Sequence, residues 1–227
     1  SNTEKWSINA GLRAEQTNIQ GVSLSTTKIN IQDYLEWFPN ASVQYNISDR
    51  YNVYANYKRS IARPGYADLN PFRFFLNENY VVSGNPNLVP TFTDHAVIGT
   101  TLFSDVLTIE AYYKNYDGAI SEIPRQNNIT NEVEYISVNF DKTVEYGFDF
   151  LTYFNVTDRW SIYAVTSFYK IEEETDFGNG FINQNLWSNY SVLQNDWTFL
   201  KDNSLNASFT LTWVGQNLQG FQIVEDR

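Results

Sequence analysis

Apolar and polar residues alternate along several runs of this chain, with the period of two that one apolar strand face imposes. Tyr51, Val53, Ala55 and Tyr57 take one side, with Asn52, Tyr54, Asn56 and Lys58 on the other. Leu107, Ile109, Ala111 and Tyr113 likewise oppose Thr108, Glu110, Tyr112 and Lys114. Trp160, Ile162, Ala164, Thr166 and Phe168 oppose Ser161, Tyr163, Val165, Ser167 and Tyr169. A last run sets Leu205, Ala207, Phe209, Leu211 and Trp213 against Asn206, Ser208, Thr210 and Thr212. Each run follows short polar punctuation such as Ser48-Asp49-Arg50, Ser104-Asp105, Thr157-Asp158-Arg159 or Lys201-Asp202-Asn203. These turns recur about every fifty residues, a period that suits a hairpin with a long return loop. Further alternating runs, such as Ala41, Val43 and Tyr45 or Tyr146, Phe148 and Phe150, lead into the turns.

The pattern predicts an all-β chain, an antiparallel up-and-down meander of about nine long strands. They are expected at 6–17, 35–47, 50–60, 93–103, 106–117, 139–156, 159–170, 187–199 and 204–214. Strands this long exceed the roughly five to six residues usual in soluble proteins. Turns of two to four residues alternate with long loops near 18–34, 61–92, 118–138 and 171–186. Short turns on one rim and long loops on the other are the layout of a transmembrane β-barrel. Trp6, Tyr51 and Trp160 fall just after short turns, where a membrane-interface girdle needs an amphipathic ring. No apolar run approaches the roughly 20 residues of a membrane-spanning helix, a test that barrel strands evade. A soluble β-sandwich or β-helix is the competing reading, since either could bury the same aromatics.

If the apolar faces meet lipid, the opposite faces line a lumen. They carry Arg13, Glu15, Asn52, Tyr54, Asn56, Lys58, Glu110, Tyr112, Lys114, Glu145, Asp149 and Tyr163. So many charges would crowd a narrow barrel and favour a wide one.

Composition narrows the chemistry. Aromatic residues reach 17% while charged residues are only 18%, which suits pleated, half-buried surfaces. A formal net charge of −11 argues against a nucleic-acid partner. The acidic run Glu172, Glu173, Glu174 and Asp176 reads as a solvated loop rather than a Ca²⁺ site. There is no cysteine, so disulfides, thiolate metal sites and thiol catalysis are out. His95 is the single histidine and reads as a strand-edge residue. The carboxylate pairs Glu132 with Glu134 and Glu145 with Asp149 share a strand side, which by itself does not make a glycosidase. Neither a catalytic group nor a cofactor is expected. Asn46-Ile47-Ser48, Asn128-Ile129-Thr130, Asn155-Val156-Thr157 and Asn206-Ala207-Ser208 match glycosylation acceptors but read as turn formers. Ser1-Asn2 reads as an expression scar.

The most specific local sequence lies in the second long loop. It runs Arg59-Ser60-Ile61-Ala62-Arg63-Pro64-Gly65-Tyr66-Ala67-Asp68-Leu69-Asn70-Pro71-Phe72, then Gly84-Asn85-Pro86-Asn87-Leu88-Val89-Pro90. Its prolines fix backbone angles and remove donors, so the segment is an ordered excursion rather than a central strand. Phe72, Phe74, Phe75 and Tyr80 are available to pack it. These two motifs resemble those of the β-barrel region of TonB-dependent receptors, in particular the outer-membrane β-barrel family. Gly11-Leu12-Arg13-Ala14-Glu15-Gln16-Thr17 is similar to a strand of the same family. Thr91 stands where the family often has Glu, so no role is carried over from that acid.

The resemblance implies a barrel of about 22 strands with an N-terminal plug, importing scarce nutrients or metal chelates through the TonB system. It implies outer-membrane lipid as surroundings and the TonB system as partner through a plug; the second reading is a non-transporting barrel that captures a ligand or pairs with a surface lipoprotein. The whole chain, 1–227, then reads as a partial barrel domain, a fragment unable to insert alone. Ligand contacts are expected from the long loops, at Arg63, Tyr66, Phe72, Arg73, Phe74, Tyr80 and Arg125. The alternative is that the 61–92 loop packs on itself.

Overall fold

The structure, a computed structural model, describes residues 5–23, 28–176, 180–200, 202, 204–219 and 222–226. In chain order the strands are β1 (Trp6–Ser23), β2 (Lys28–Ser48), β3 (Tyr51–Ala62), β4 (Phe74–Phe75) and β5 (Tyr80–Ser83). There follow β6 (Thr91–Leu102), β7 (Leu107–Asp117), β8 (Ile120–Asn127), β9 (Glu132–Asn139) and β10 (Lys142–Thr157). The last are β11 (Trp160–Asp176), β12 (Phe181–Phe199), β13 (Leu205–Val214), β14 (Asn217–Gln219) and β15 (Gln222–Val224). One helical turn, α1 (Tyr66–Leu69), interrupts them.

Nine strands form one antiparallel sheet in the order β1-β2-β3-β6-β7-β10-β11-β12-β13. The expected meander is therefore present, with the insertions after β3 and β7 left out of the sheet. Two of the four expected long loops are not loops. β1 and β2 stay paired from Trp6↔Tyr45 to Ser23↔Lys28, across most of 18–34. β11 and β12 pair as far as Asp176↔Phe181, across most of 171–186. These extensions carry no apolar alternation as long and regular as that of the other runs, so the pattern under-marked strands that the backbone ladder pairs. The acidic run is part of β11 for the same reason. Glu172 to Glu174 are half-buried and paired, not solvated in a loop. Glu172 accepts hydrogen bonds from Lys170 (2.9 Å) and Lys142 (3.3 Å), and Glu173 from Gln184 (2.8 Å).

The register separates two faces as the alternation predicts. One row across the sheet reads Ala55↔Ile98↔Ala111↔Phe148↔Phe168, all on the apolar side. This face is open: Leu12, Ile98 and Trp187 are 64%, 70% and 62% exposed. Apolar exposure over nine adjacent strands far exceeds the patches of soluble proteins and needs a lipid solvent. Near the short turns the face turns aromatic. Trp6 lies against Tyr45 (4.6 Å between ring centroids) and Trp160 against Trp197 (6.4 Å).

The dry core lies elsewhere. Fully buried large side chains are Val81, Leu88, Ile123 and Phe140, all in or beside the insertions after β3 and β7. There β4, β5, β9 and β8 form a second sheet, with β5 and β9 parallel. This cap joins the two remaining long loops, which the sequence treats as separate. Its clamp is the pair of proline motifs. The Gly84 amide donates to Asn70 O (2.9 Å) and the Asn85 amide to Asp68 O (2.6 Å). Asn85 Nδ2 donates to Ser137 O (3.1 Å), tying the first loop to β9. Asn139 bridges back, donating to Val89 O (2.9 Å) and Gly118 O (2.7 Å).

A Cβ at Gly84 would lie 2.5 Å from Asn70 O and 2.6 Å from Ala67 O, both backbone atoms. Gly84→Ala should therefore force the two motifs apart at a cost of about 1–3 kcal/mol, the scale of overpacking. Hydrogen exchange should lose protection at Val81–Ser83 and Val133–Ile136 while β10–β12 keep theirs. Unchanged cap protection would mean the motifs do not clamp it.

Candidate functional site

The cap leans on the polar face of the β1–β2 hairpin. β3 pairs with β2 only from Ser48↔Tyr51 to Asn40↔Lys58, while β2 continues for another turnless stretch with β1. Above Asn40, β3 leaves its neighbour and carries the cap across the hairpin's polar side. Arg63 donates to Glu15 (2.8 Å) and Thr17 (3.2 Å), and Gln32 Nε2 donates to Leu88 O (2.8 Å). The Phe92 ring packs against Phe38 (6.3 Å) and edge-on to Tyr34 (6.4 Å). Phe38 is consequently buried, with Arg13 stacked 4.7 Å from its ring centroid.

A cleft of about 580 Å³ opens in the cap between Arg73 and the β8–β9 hairpin tip. Arg125, Gln126, Asn127, Asn128, Ile129, Thr130, Glu132 and Glu134 complete its lining. The volume falls in the range of small-molecule sites. Arg73 donates to Glu132 (3.0 Å) and its guanidinium sits 5.1 Å from the Phe75 ring centroid. Thr130 Oγ1 also donates to Glu132 (3.1 Å), and Ser83 Oγ to Glu134 (2.7 Å). The hydrogen bond from Arg73 and that from Thr130 hold the Glu132 carboxyl below its ordinary pKa.

Beneath the cap, the polar face carries two cross-strand rows. One reads Tyr54↔Gly99↔Glu110↔Asp149, the other Lys58↔His95↔Lys114↔Glu145. Tyr54 OH donates to Glu110 (2.6 Å), two strands away, because its ring lies flat across Gly99. A Cβ at residue 99 would sit 2.5 Å from that ring. Lys114 donates to Glu145 at 2.7 Å. These rows, with Arg13 and Glu15 on β1, hold most of the polar set singled out in the sequence; Tyr112 lies beside them, opposite Val97 and Gly147.

The loop candidates do not converge. Only Arg73 and Arg125 share the cleft. Arg63 is committed to Glu15, and Tyr80 stacks on Tyr135 (6.2 Å, 25°). Tyr66, Phe72 and Phe74 project from the cap, 81%, 68% and 68% exposed. Sequence reasoning missed Glu132, Thr130 and the amides Gln126, Asn127 and Asn128. Asn128-Ile129-Thr130 was legible as a turn, but 118–138 reads as a long loop, and nothing local showed that it is a hairpin whose tip faces Arg73, 54 or more positions earlier.

The family model for the outer membrane protein beta-barrel family matches residues 1–223. No curated protein sequence matches the chain. Among solved structures it is similar to the ferric-catecholate import receptor Fiu from E. coli K12, at 14% identity and a TM-score of 0.63. That match covers 99% of this chain and 35% of Fiu. The siderophore receptor PiuA from Acinetobacter baumannii matches at 15% identity and a TM-score of 0.63, over 99% of this chain and 33% of PiuA. The copper transporter OprC matches at 12% identity and a TM-score of 0.63, over all of this chain and 36% of OprC. The chain thus spans about a third of the length of the receptors it matches.

Glu132 also supplies a pH test. A carboxyl whose folded pKa is lowered stabilises above its unfolded value, near 4.5, and that stabilisation is lost as pH falls through the lower folded value. Exchange at 73–76, normalised to intrinsic rates, should therefore be flat from neutral pH to about 5 and rise below about 4.5. In Glu132→Gln it should be raised at neutral pH and lose this pH dependence, so that the two chains converge at low pH. A flat profile in the unmodified chain would deny the Arg73–Glu132 link any role in holding the cap.

Proposed function

Because the chain belongs to the outer membrane protein beta-barrel family, we propose that it is a wall segment and part of the outer mouth of a TonB-dependent receptor that imports a nutrient or metal chelate. The bacterial outer membrane is its location. The observation that carries the reading is the position of the cleft, built by two fused loops that lean across a polar, charged sheet face. A mouth held over a hydrophilic wall is what uptake through a wide barrel requires. The similar solved structures are named for ferric-catecholate import, copper transport and siderophore reception, and their shared fold fits this use. In this reading the remaining strands, the plug and the TonB-contacting segment belong to the rest of the receptor. Arg73 and Arg125 then contact ligand, Tyr66, Phe72, Phe74 and Tyr80 form the rim, and Arg63 positions the cap. Arg13, Glu15, Tyr54, Lys58, Glu110, Tyr112, Lys114, Glu145 and Asp149 line the lumen.

Deleting the full-length receptor should slow growth under at least one of iron-, copper- or glycan-limited conditions, and loss of TonB should reproduce the deficit. In that condition Arg73→Ala and Tyr80→Ala should lower uptake at unchanged receptor level. Ligand capture that is indifferent to TonB would replace import by binding alone. Unchanged uptake in the variants would remove both residues from the site.

A further inference from the structure

The groups lining the cap cleft divide into two sets. The first is a frame whose members hold one another: Arg73 with Glu132, Thr130 with Glu132, and Glu134 with Ser83. Asn127 belongs to it too, since its Oδ1 accepts the amides of Ile129 (3.0 Å) and Thr130 (3.3 Å). The second set makes no side-chain hydrogen bond or ion pair with the described residues: Arg125, Gln126 and Asn128. Arg125 stands directly across the ladder from Glu134, yet the two form no ion pair. Glu134 is engaged by the Ser83 hydroxyl instead. The cleft thus keeps one guanidinium outside any ion pair and two primary amides, beside an Ile129 side chain that is 95% exposed.

We infer that this cleft recognises a ligand presenting one carboxylate flanked by neutral donor–acceptor groups, with Arg125 as the anchor of the carboxylate. The inference rests on the receptor reading above and names the ligand class of its mouth. A guanidinium presents a planar fork of donors that matches a carboxylate in two parallel hydrogen bonds. A primary amide offers a donor and an acceptor side by side, the complement of neighbouring hydroxyls or of a peptide unit. The rest of the chain sets the charge limit. Arg73 is neutralised by Glu132, Glu134 stands across the ladder from Arg125, and the formal net charge is −11, so a polyanion meets repulsion that a single carboxylate seated on the Arg125 fork does not. Vicinal hydroxyls and a peptide unit share this chemistry, so an acidic sugar and a small acylated peptide acid are its two sources.

The test is binding to the purified full-length receptor in detergent, which does not require transport. Four probes are compared by calorimetry: a β-linked disaccharide bearing one uronate, its neutral counterpart, an N-acetylated dipeptide acid, and its C-terminal amide. In one pair or both, the carboxylate member should bind about tenfold or more tightly than the neutral one, the scale of a charge-assisted hydrogen bond. The pair that shows the preference identifies the source. Arg125→Gln should abolish the preference while hydrogen exchange of the cap is unchanged. Glu132→Gln, which releases Arg73 as a second cation, should strengthen the carboxylate probe. Equal binding within both pairs, or a preference that survives Arg125→Gln, overturns the assignment. A failed uptake assay with intact carboxylate preference would instead count against import and leave the cleft's chemistry standing.

Discussion

A strand that crosses hydrocarbon has to give its backbone donors and acceptors to neighbouring strands, because an unpaired amide there costs several kcal/mol. The same strand has to send its apolar side chains to one face and its polar ones to the other. These two demands fix the register, since a slip of one residue would exchange the faces of an entire strand. The row Ala55↔Ile98↔Ala111↔Phe148↔Phe168 and the row Tyr54↔Gly99↔Glu110↔Asp149 are the two products of that single constraint. Gly99 shows how far it reaches: the missing side chain lets one tyrosine span a strand and donate to a carboxylate on the polar face.

Within the sheet there is almost no buried core, as expected of a layer whose apolar side is solvated by lipid. The cap has the opposite economy. It buries Val81, Leu88, Ile123 and Phe140 fully, as a soluble domain does. Its two proline motifs are tied through their backbones: carbonyls of Asp68 and Asn70 accept amides of Asn85 and Gly84. A cap made this way presents the polar side chains of its cleft on a fixed frame. Arg63 belongs to that frame, since Glu15 and Thr17 hold it against the β1–β2 hairpin.

Charge is organised at three levels. On the sheet's polar face, Lys114 and Glu145 pair across strands at 2.7 Å. At the upper end of β11, Glu172 is held by two lysines. In the cap, Glu132 neutralises Arg73 and leaves Arg125 to the cleft. The long polar extensions of β1–β2 and β11–β12 rise beyond the apolar band, and their ladders hold without an apolar side to bury.

The alternation at Tyr51–Lys58, Leu107–Lys114 and Trp160–Tyr169 was enough to specify strands, faces and the short turns, because a period of two is a local property. The motifs around Arg63-Pro64 and Gly84-Asn85-Pro86 were enough to indicate the family, because proline and glycine positions record backbone geometry directly. The sequence could not show that β1–β2 and β11–β12 run on through most of 18–34 and 171–186, since the alternation there is weak and the pairing is made by the partner strand's backbone. Nor could it show that Arg73 faces Asn127–Glu132, or that Arg63 closes on Glu15. Those contacts join residues about fifty positions apart through a cap core and a hairpin register, and only the folded sheet brings them within hydrogen-bond distance.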